Sequence, residues 1–307
     1  MLSVSWSPLF EPGFFSSGPV HVALAVGAIS AAVSGVVGVF TVVRGQSFAG
    51  HALSDIGTAG GSAAVLVGAS TLYGFVAFNL VAAAVMELIG IRRPRGRDLA
   101  TGIVLGASLG LAALFLYEDT VASSTTGATV NVLFGSIFTL PPGITTVMAV
   151  LGAASVAVIA LLYRPLLLSS VSYELAAARR VPVRLVGAGY LLAVALAVSM
   201  SAVTIGAILS TALLIGPAAI ALRLASRTGV AIAVAVVVGV VACWLGTLLA
   251  YDSTVWSGGN GWPVSFCIVA VIFALYFASG VVSWSRSNLG RTAPGRRRHP
   301  VEPVEVG

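Results

Sequence analysis

The sequence predicts an all-α membrane protein: a polytopic bundle of about eight or nine transmembrane helices, with one short re-entrant or interfacial helix and one short cytoplasmic helix. Of the 307 residues, 58% are hydrophobic and only 8% are charged, whereas soluble domains carry roughly a quarter charged residues. The mean hydropathy is +1.04. A helix crosses a bilayer with about 20 mostly apolar residues, and the chain repeats runs of that length almost from end to end.

Nine apolar runs define the predicted crossings, which lie at 19–43, 48–69, 71–91, 98–117, 143–163, 185–203, 204–222, 230–250 and 264–284. The stretch 130–140 is apolar but too short to cross, so we expect a re-entrant or interfacial helix there. The polar interruptions are too short to form a soluble domain. We therefore predict an extracytoplasmic segment at 1–18, a transmembrane domain at 19–284 and a disordered cytoplasmic tail at 285–307, which is rich in Pro, Gly and Arg.

The arginines predict the orientation. Every basic residue is arginine, and the arginines follow the first, third, fifth, seventh and last apolar runs. Because cytoplasmic loops carry the excess of basic residues, we expect the N-terminus outside and the C-terminus in the cytoplasm. An extra crossing at 130–140 would move the arginines of 164–184 outside and break this segregation. The net charge of +6 is thus a topology signal, and we expect no nucleic-acid partner.

One pair of side chains carries metal-binding chemistry. His51 and Asp55 are four residues apart at the start of the second run, so they share one face of a helix. Glycines and alanines surround them, and ionisable groups in a membrane helix usually face a protein interior or a water-filled path. Imidazole and carboxylate together suit zinc, manganese or iron(II). A structural hydrogen bond between helices and a proton relay are the alternatives.

The polar segment after the fifth run predicts a short helix outside the membrane. It contains good helix formers, with Ser172 as a possible N-cap and Glu174 in the first turn. Ala176, Arg179 and Arg180 follow. Such a helix can dock into a groove on a cytoplasmic partner or simply lie on the membrane surface.

The run at 199–227 is punctuated by Gly206, Gly216 and Pro217. Proline removes a backbone hydrogen bond and marks a kink or break in a membrane helix. Such a helix either lines and gates a path or is an ordinary kinked helix, and the sequence leaves both interpretations open.

Enzymatic function is not predicted. The sequence contains no GxxxxGK[ST] phosphate loop and no HExxH motif. Cys243 and Cys267 lie in separate apolar runs and have no metal-ligand spacing. We expect no catalytic residues and no permanently bound cofactor, and any ATP hydrolysis would belong to a separate partner subunit.

Several motifs in order resemble the membrane permease subunits of bacterial zinc/manganese/iron ABC importers. In that family the second span opens with a motif like SxxGDxLxHxxLxG, and here 47–60 is SFAGHALSDIGTAG. His51 stands where the family usually has Asp, and Asp55 where it has His. Further similar segments are DLATG at 98–102, LFGSIFTL at 133–140, SYELA at 172–176 and the apolar run at 203–223. Arg180 replaces a glycine that is usual in the family.

The resemblance implies a multi-pass permease domain in the bacterial plasma membrane and a homodimer. It also implies cytoplasmic ABC ATPase subunits docked on coupling helices formed by 172–180, and an extracytoplasmic protein that delivers the metal. His51 and Asp55 would then face a central path where the two protomers meet, and the transported divalent ion would be the cargo. Two rival functions remain open: a permease for a metal chelate or a vitamin, and a proton-coupled secondary cation transporter.

Overall fold

The computed structural model describes residue 14 and residues 17–90, 94–123, 126–171, 176, 178–256 and 261–291. Within these residues the chain forms ten α-helices and no strands. The helices are α1 Gly18–Val43, α2 Ser47–Leu66, α3 Thr71–Gly90, α4 Pro94–Ser123, α5 Gly127–Phe134, α6 Ile144–Val171, α7 Val183–Ile205, α8 Ala207–Leu224, α9 Thr228–Trp256 and α10 Val264–Arg291. The predicted segment 1–18 and tail 285–307 lie largely outside the described residues.

Eight of these helices are long and apolar enough to cross a membrane, which confirms the predicted helical membrane bundle. The exception among the nine predicted crossings is α2, which is rich in Gly, Ser and Thr and has twelve buried residues. Its polarity is tolerated because neighbouring helices, rather than lipid, cover most of it. The helix that carries His51 and Asp55 is therefore covered mainly by other helices of the same chain.

The centre of the bundle is α7, in which every residue from Ala193 to Ile205 is buried. Buried hydroxyl and amide groups join it to its neighbours. Ser201 Oγ lies 2.8 Å from Ser34 Oγ and 3.2 Å from Ser30 Oγ of α1. Asn79 Nδ2 of α3 donates to Ser199 Oγ at 2.9 Å. Small side chains let helix backbones approach closely in lipid, and such polar contacts fix their register.

The short helix α5 ends against the junction between α7 and α8. Gly206 separates those two helices with φ +87°, and Gly135, which follows α5, has φ +75°. A Cβ on Gly206 would lie 2.3 Å from the Leu133 carbonyl oxygen. Only glycine combines this left-handed backbone with such a close approach. The stretch 130–140 thus forms a short helix and a 3₁₀ turn at Ile137–Thr139, and not a crossing.

The break near the seventh run lies at Gly206, while α8 continues as one helix through Pro217. Proline in a helix interior removes one hydrogen bond, and packing offsets that loss here because Pro217 is buried. The backbone change therefore occurs about three turns before the proline.

Candidate metal site

The candidate site is the His51–Asp55 pair on the first turns of α2. His51 Nε2 lies 3.5 Å from Asp55 Oδ2. Two ligand atoms on the same ion at right angles, each about 2.1 Å from it, are about 3 Å apart. The pair is therefore within about half an ångström of the separation that shared coordination needs.

The other ring nitrogen of His51 is held by α8. His51 Nδ1 lies 3.0 Å from Thr211 Oγ1. A metal ion on Nε2 requires the proton on Nδ1, and Nδ1–H then donates to the threonine hydroxyl. A ligating histidine is commonly oriented by this kind of second partner, which fixes the tautomer and the ring plane.

The backbone that carries the pair is fixed to the first turn of α8. Ser54 Oγ donates to the Ala207 carbonyl at 2.5 Å and contacts the Ser210 hydroxyl. On the same side of α2, a Cβ on Gly50 would lie 2.9 Å from Leu214 Cδ2. These contacts on either side of His51 in sequence fix the backbone of α2 relative to the part of α8 that carries Thr211.

The pair opens onto the surface of the single chain. The side chain of His51 is 48% exposed and that of Asp55 is 18% exposed. Phe48, one turn before, and Ile208 of α8 are 46% and 49% exposed. Among the residues that the structure describes, no group of three or more His, Cys, Asp or Glu side chains could hold a metal ion. One chain thus offers two ligands on an open face, which is an incomplete shell for a transition metal.

The predicted coupling segment is described only in part. Ser172 and Glu174 lie outside the described residues, whereas Ala176 is buried and Arg179 and Arg180 are exposed. Arg180 has φ +56°, a left-handed conformation that glycine adopts at little cost. The structure thus gives a physical reason why a glycine would suit this position.

Two of the other predicted path residues pack against neighbouring helices. A Cβ on Gly216 would lie 2.4 Å from Ile272 Cγ2 of α10. Pro217 is buried, and its Cγ would lie 3.6 Å from a Cβ on Gly239 of α9. Gly206, in contrast, directly precedes the α8 turn that contacts Ser54. The structure thus brings Gly206 near the His51 site and places Gly216 and Pro217 in helix contacts.

The described helices define a polytopic membrane protein that carries a candidate metal-ligand pair, His51 and Asp55, on its second helix. The chain belongs to the ABC 3 transport family, which matches residues 19–283. A manganese import system permease protein, ScaB of Streptococcus pneumoniae, is 33% identical over 149 residues, which are 48% of this chain and 51% of that protein. A manganese transport system membrane protein, MntC of Listeria innocua, is 26% identical over 55% of this chain and 59% of that protein.

The chain thus spans about half the length of the curated relatives that it matches. Two solved structures share the fold. PsaBC from Streptococcus pneumoniae in complex with Fab has a TM-score of 0.77 at 24% identity and covers 91% of this chain and 97% of that one. An inward-facing conformation of a putative metal-chelate type ABC transporter has a TM-score of 0.67 at 18% identity and covers 86% of each chain.

Proposed function

We propose that this protein is the permease subunit of an ATP-driven importer of divalent transition metal ions, with manganese as the first candidate and zinc and iron(II) as competitors. Membership of the ABC 3 transport family supports transport, and the names of the relatives support manganese. Nitrogen and oxygen ligands suit all three metals, so the donor set alone does not select among them.

The observation that carries this proposal is the open face of the His51–Asp55 pair. Ionisable side chains in a membrane helix are costly next to lipid and usually face protein or water. Here one of them is half exposed on a single chain. A second copy related by a twofold axis would cover this face and contribute the same pair, giving up to four ligands of mixed nitrogen and oxygen type. We therefore propose a homodimer with the path between protomers.

The remaining partners follow from this architecture. Arg179 and Arg180 are exposed, and they belong to the proposed coupling segment that would dock on cytoplasmic ATPase subunits. This docking requires the proposed orientation, in which the N-terminus of the chain lies outside and the C-terminus lies in the cytoplasm. An extracytoplasmic protein would deliver the ion. The site must also release its cargo, so we expect an incompletely dehydrated ion bound weakly enough to leave.

Uptake by reconstituted protein tests this function. The full chain, its ATPase and its binding protein are placed in vesicles, and manganese, zinc and iron(II) uptake is measured with and without ATP. We expect His51→Ala and Asp55→Ala to abolish uptake and the matched control His21→Ala, an exposed residue of α1, to leave it unchanged. Normal uptake of every metal by both site variants would refute the site, and uptake without ATP would favour a proton-coupled transporter.

A second candidate cargo is a metal chelate or a vitamin. A cavity of about 720 Å³ lies among the start of α1, the α5 region and the junction of α9 with α10. Aromatic side chains line it, including Phe134, Tyr251 and Trp262, and neither His51 nor Asp55 does. A chelate importer would therefore keep its activity in His51→Ala, which the same uptake assay measures with a chelated metal as substrate.

A further inference from the structure

A groove between α8 and α10 combines one cation with an apolar wall. The groove is open to the surface and has a volume of about 380 Å³. It is lined by Arg223, Tyr276, Phe277, Gly280, Val281 and Trp284. Arg223 lies in the last turn of α8, and the other five residues lie on α10. The groove is thus distinct from the His51 site, which involves the opposite end of α8.

The guanidinium of Arg223 is held in a defined position but keeps most of its donors. Its Cζ lies 3.8 Å from the centroid of the Tyr276 ring, and Nη2 donates to the Tyr276 hydroxyl. A Cβ on Gly280 would lie 3.4 Å from Nη1, so glycine leaves this side of the group open. Arginine has five N–H donors, and no carboxylate of the described residues forms an ion pair with Arg223.

This cation lies beside a segment that would be in the bilayer. The apolar segment of α10 runs from Val264 to Trp284, and the ring under Arg223 is two turns inside its end. A charged group at such depth is costly without a partner. The same face of α10 exposes an apolar stripe to its surroundings, with Phe273, Phe277, Val281 and Trp284 between 58% and 67% exposed.

We propose that this groove binds an anionic phospholipid, with its phosphate on Arg223 and an acyl chain along the apolar stripe. Charge complementarity selects the headgroup, since arginine matches the oxygens of a phosphate with two parallel hydrogen bonds. The stripe selects a lipid over a free anion, because it continues from the cation into the hydrocarbon region. In the proposed orientation this lipid belongs to the cytoplasmic leaflet. A zwitterionic lipid binds less well, since its own ammonium group competes for the phosphate.

Native mass spectrometry of the purified full-length protein with added phosphatidylglycerol tests the proposal. One Arg near a membrane surface contributes about 1 kcal/mol to the attraction of anionic lipid, so we expect Arg223→Ala to weaken the tightest phosphatidylglycerol binding about fivefold. The matched control is Arg227→Ala, which removes another exposed arginine three residues after the end of α8. Gly280→Leu fills the groove without changing charge and should weaken binding to a similar extent.

Four outcomes would overturn the proposal. Equal losses in Arg223→Ala and Arg227→Ala would show a diffuse charge effect and no site. Unchanged binding in Gly280→Leu would place the lipid elsewhere. Displacement of the bound lipid by inorganic phosphate would show that the groove binds a free anion rather than a lipid. Equal binding of phosphatidylcholine would show that the groove does not select an anionic headgroup. None of these results depends on transport, so the proposed metal importer stands or falls separately.

Discussion

The contact between α2 and α3 gives the sharpest test of how the site helix is held. A Cβ on Gly60 would lie 2.2 Å from the Gly74 carbonyl oxygen and 2.6 Å from Phe78 Cβ. The reverse contact is equally close, since a Cβ on Gly74 would lie 2.1 Å from the Gly60 carbonyl oxygen. The first of these atoms is backbone, which cannot rotate away. Gly60→Ala must therefore push the two helices apart.

The size of the effect follows from that distance. Carbon–oxygen contacts between helices settle near 3.3 Å, so α2 and α3 must separate by about 1 Å at this point. Overpacking of this kind costs about 1–3 kcal/mol, and the better helix propensity of alanine returns at most about 1 kcal/mol. We expect a net loss of about 1–2 kcal/mol, which lowers the midpoint of thermal unfolding by about 2–3 °C for a chain of this size, since the unfolding entropy is about 2.1 cal/mol/K per residue.

Thermal unfolding of the detergent-purified protein measures this loss, with Gly102→Ala as the matched control. Gly102 lies in α4, where an added Cβ meets nothing within 4 Å, so we expect its midpoint to stay unchanged or to rise slightly. Metal uptake should also fall in Gly60→Ala, because α2 carries His51 and Asp55. Equal unfolding midpoints for the two variants would refute the close α2–α3 contact.

Two further predictions concern the surroundings of the site. Thr211→Val keeps the shape of the side chain but removes the hydrogen-bond partner of His51 Nδ1. The loss of one hydrogen bond of about 1 kcal/mol should raise the KM for metal uptake about fivefold, while the unfolding midpoint stays unchanged. Thr211→Ser keeps the hydroxyl and should restore the wild-type KM. Equal KM values for Thr211→Val and wild type would show that the hydroxyl does not orient the ring. Gly206→Ala places a Cβ 2.3 Å from the Leu133 carbonyl oxygen at φ +87°, so we expect a loss of at least about 2 kcal/mol in stability, measured as a lower unfolding midpoint. Wild-type stability for this variant would contradict the packing of α5 on the helix junction.

Much of the fold could be predicted because its signals are local. A membrane crossing needs about 20 apolar residues in succession, and the predicted run at 19–43 corresponds to α1 at Gly18–Val43. The spacing of His51 and Asp55 is equally local, since any helix places residues four apart on one face. The prediction of a short helix rather than a crossing at 130–140 followed from the length of the apolar stretch and from the distribution of the arginines.

Contacts between distant residues could not be predicted in the same way. Thr211 is 160 residues from His51 in sequence, and only the antiparallel packing of α2 on α8 brings them together. The break at Gly206 depends on α5 occupying the space that a side chain would need. The sequence named Gly206 together with Gly216 and Pro217 but could not show at which of them the helix ends, and the helix continues through Pro217.

Electron paramagnetic resonance of bound Mn²⁺ tests the central claim most directly. Manganese is added to the purified complex of this protein with its ATPase. The nitrogen hyperfine couplings of the bound ion are then measured in wild type, His51→Ala and His21→Ala. Two protomers that share one ion predict one bound Mn²⁺ per dimer with two equivalent imidazole nitrogens, lost in His51→Ala and kept in His21→Ala. A bound ion without nitrogen coupling, or couplings that survive in His51→Ala, would contradict the account.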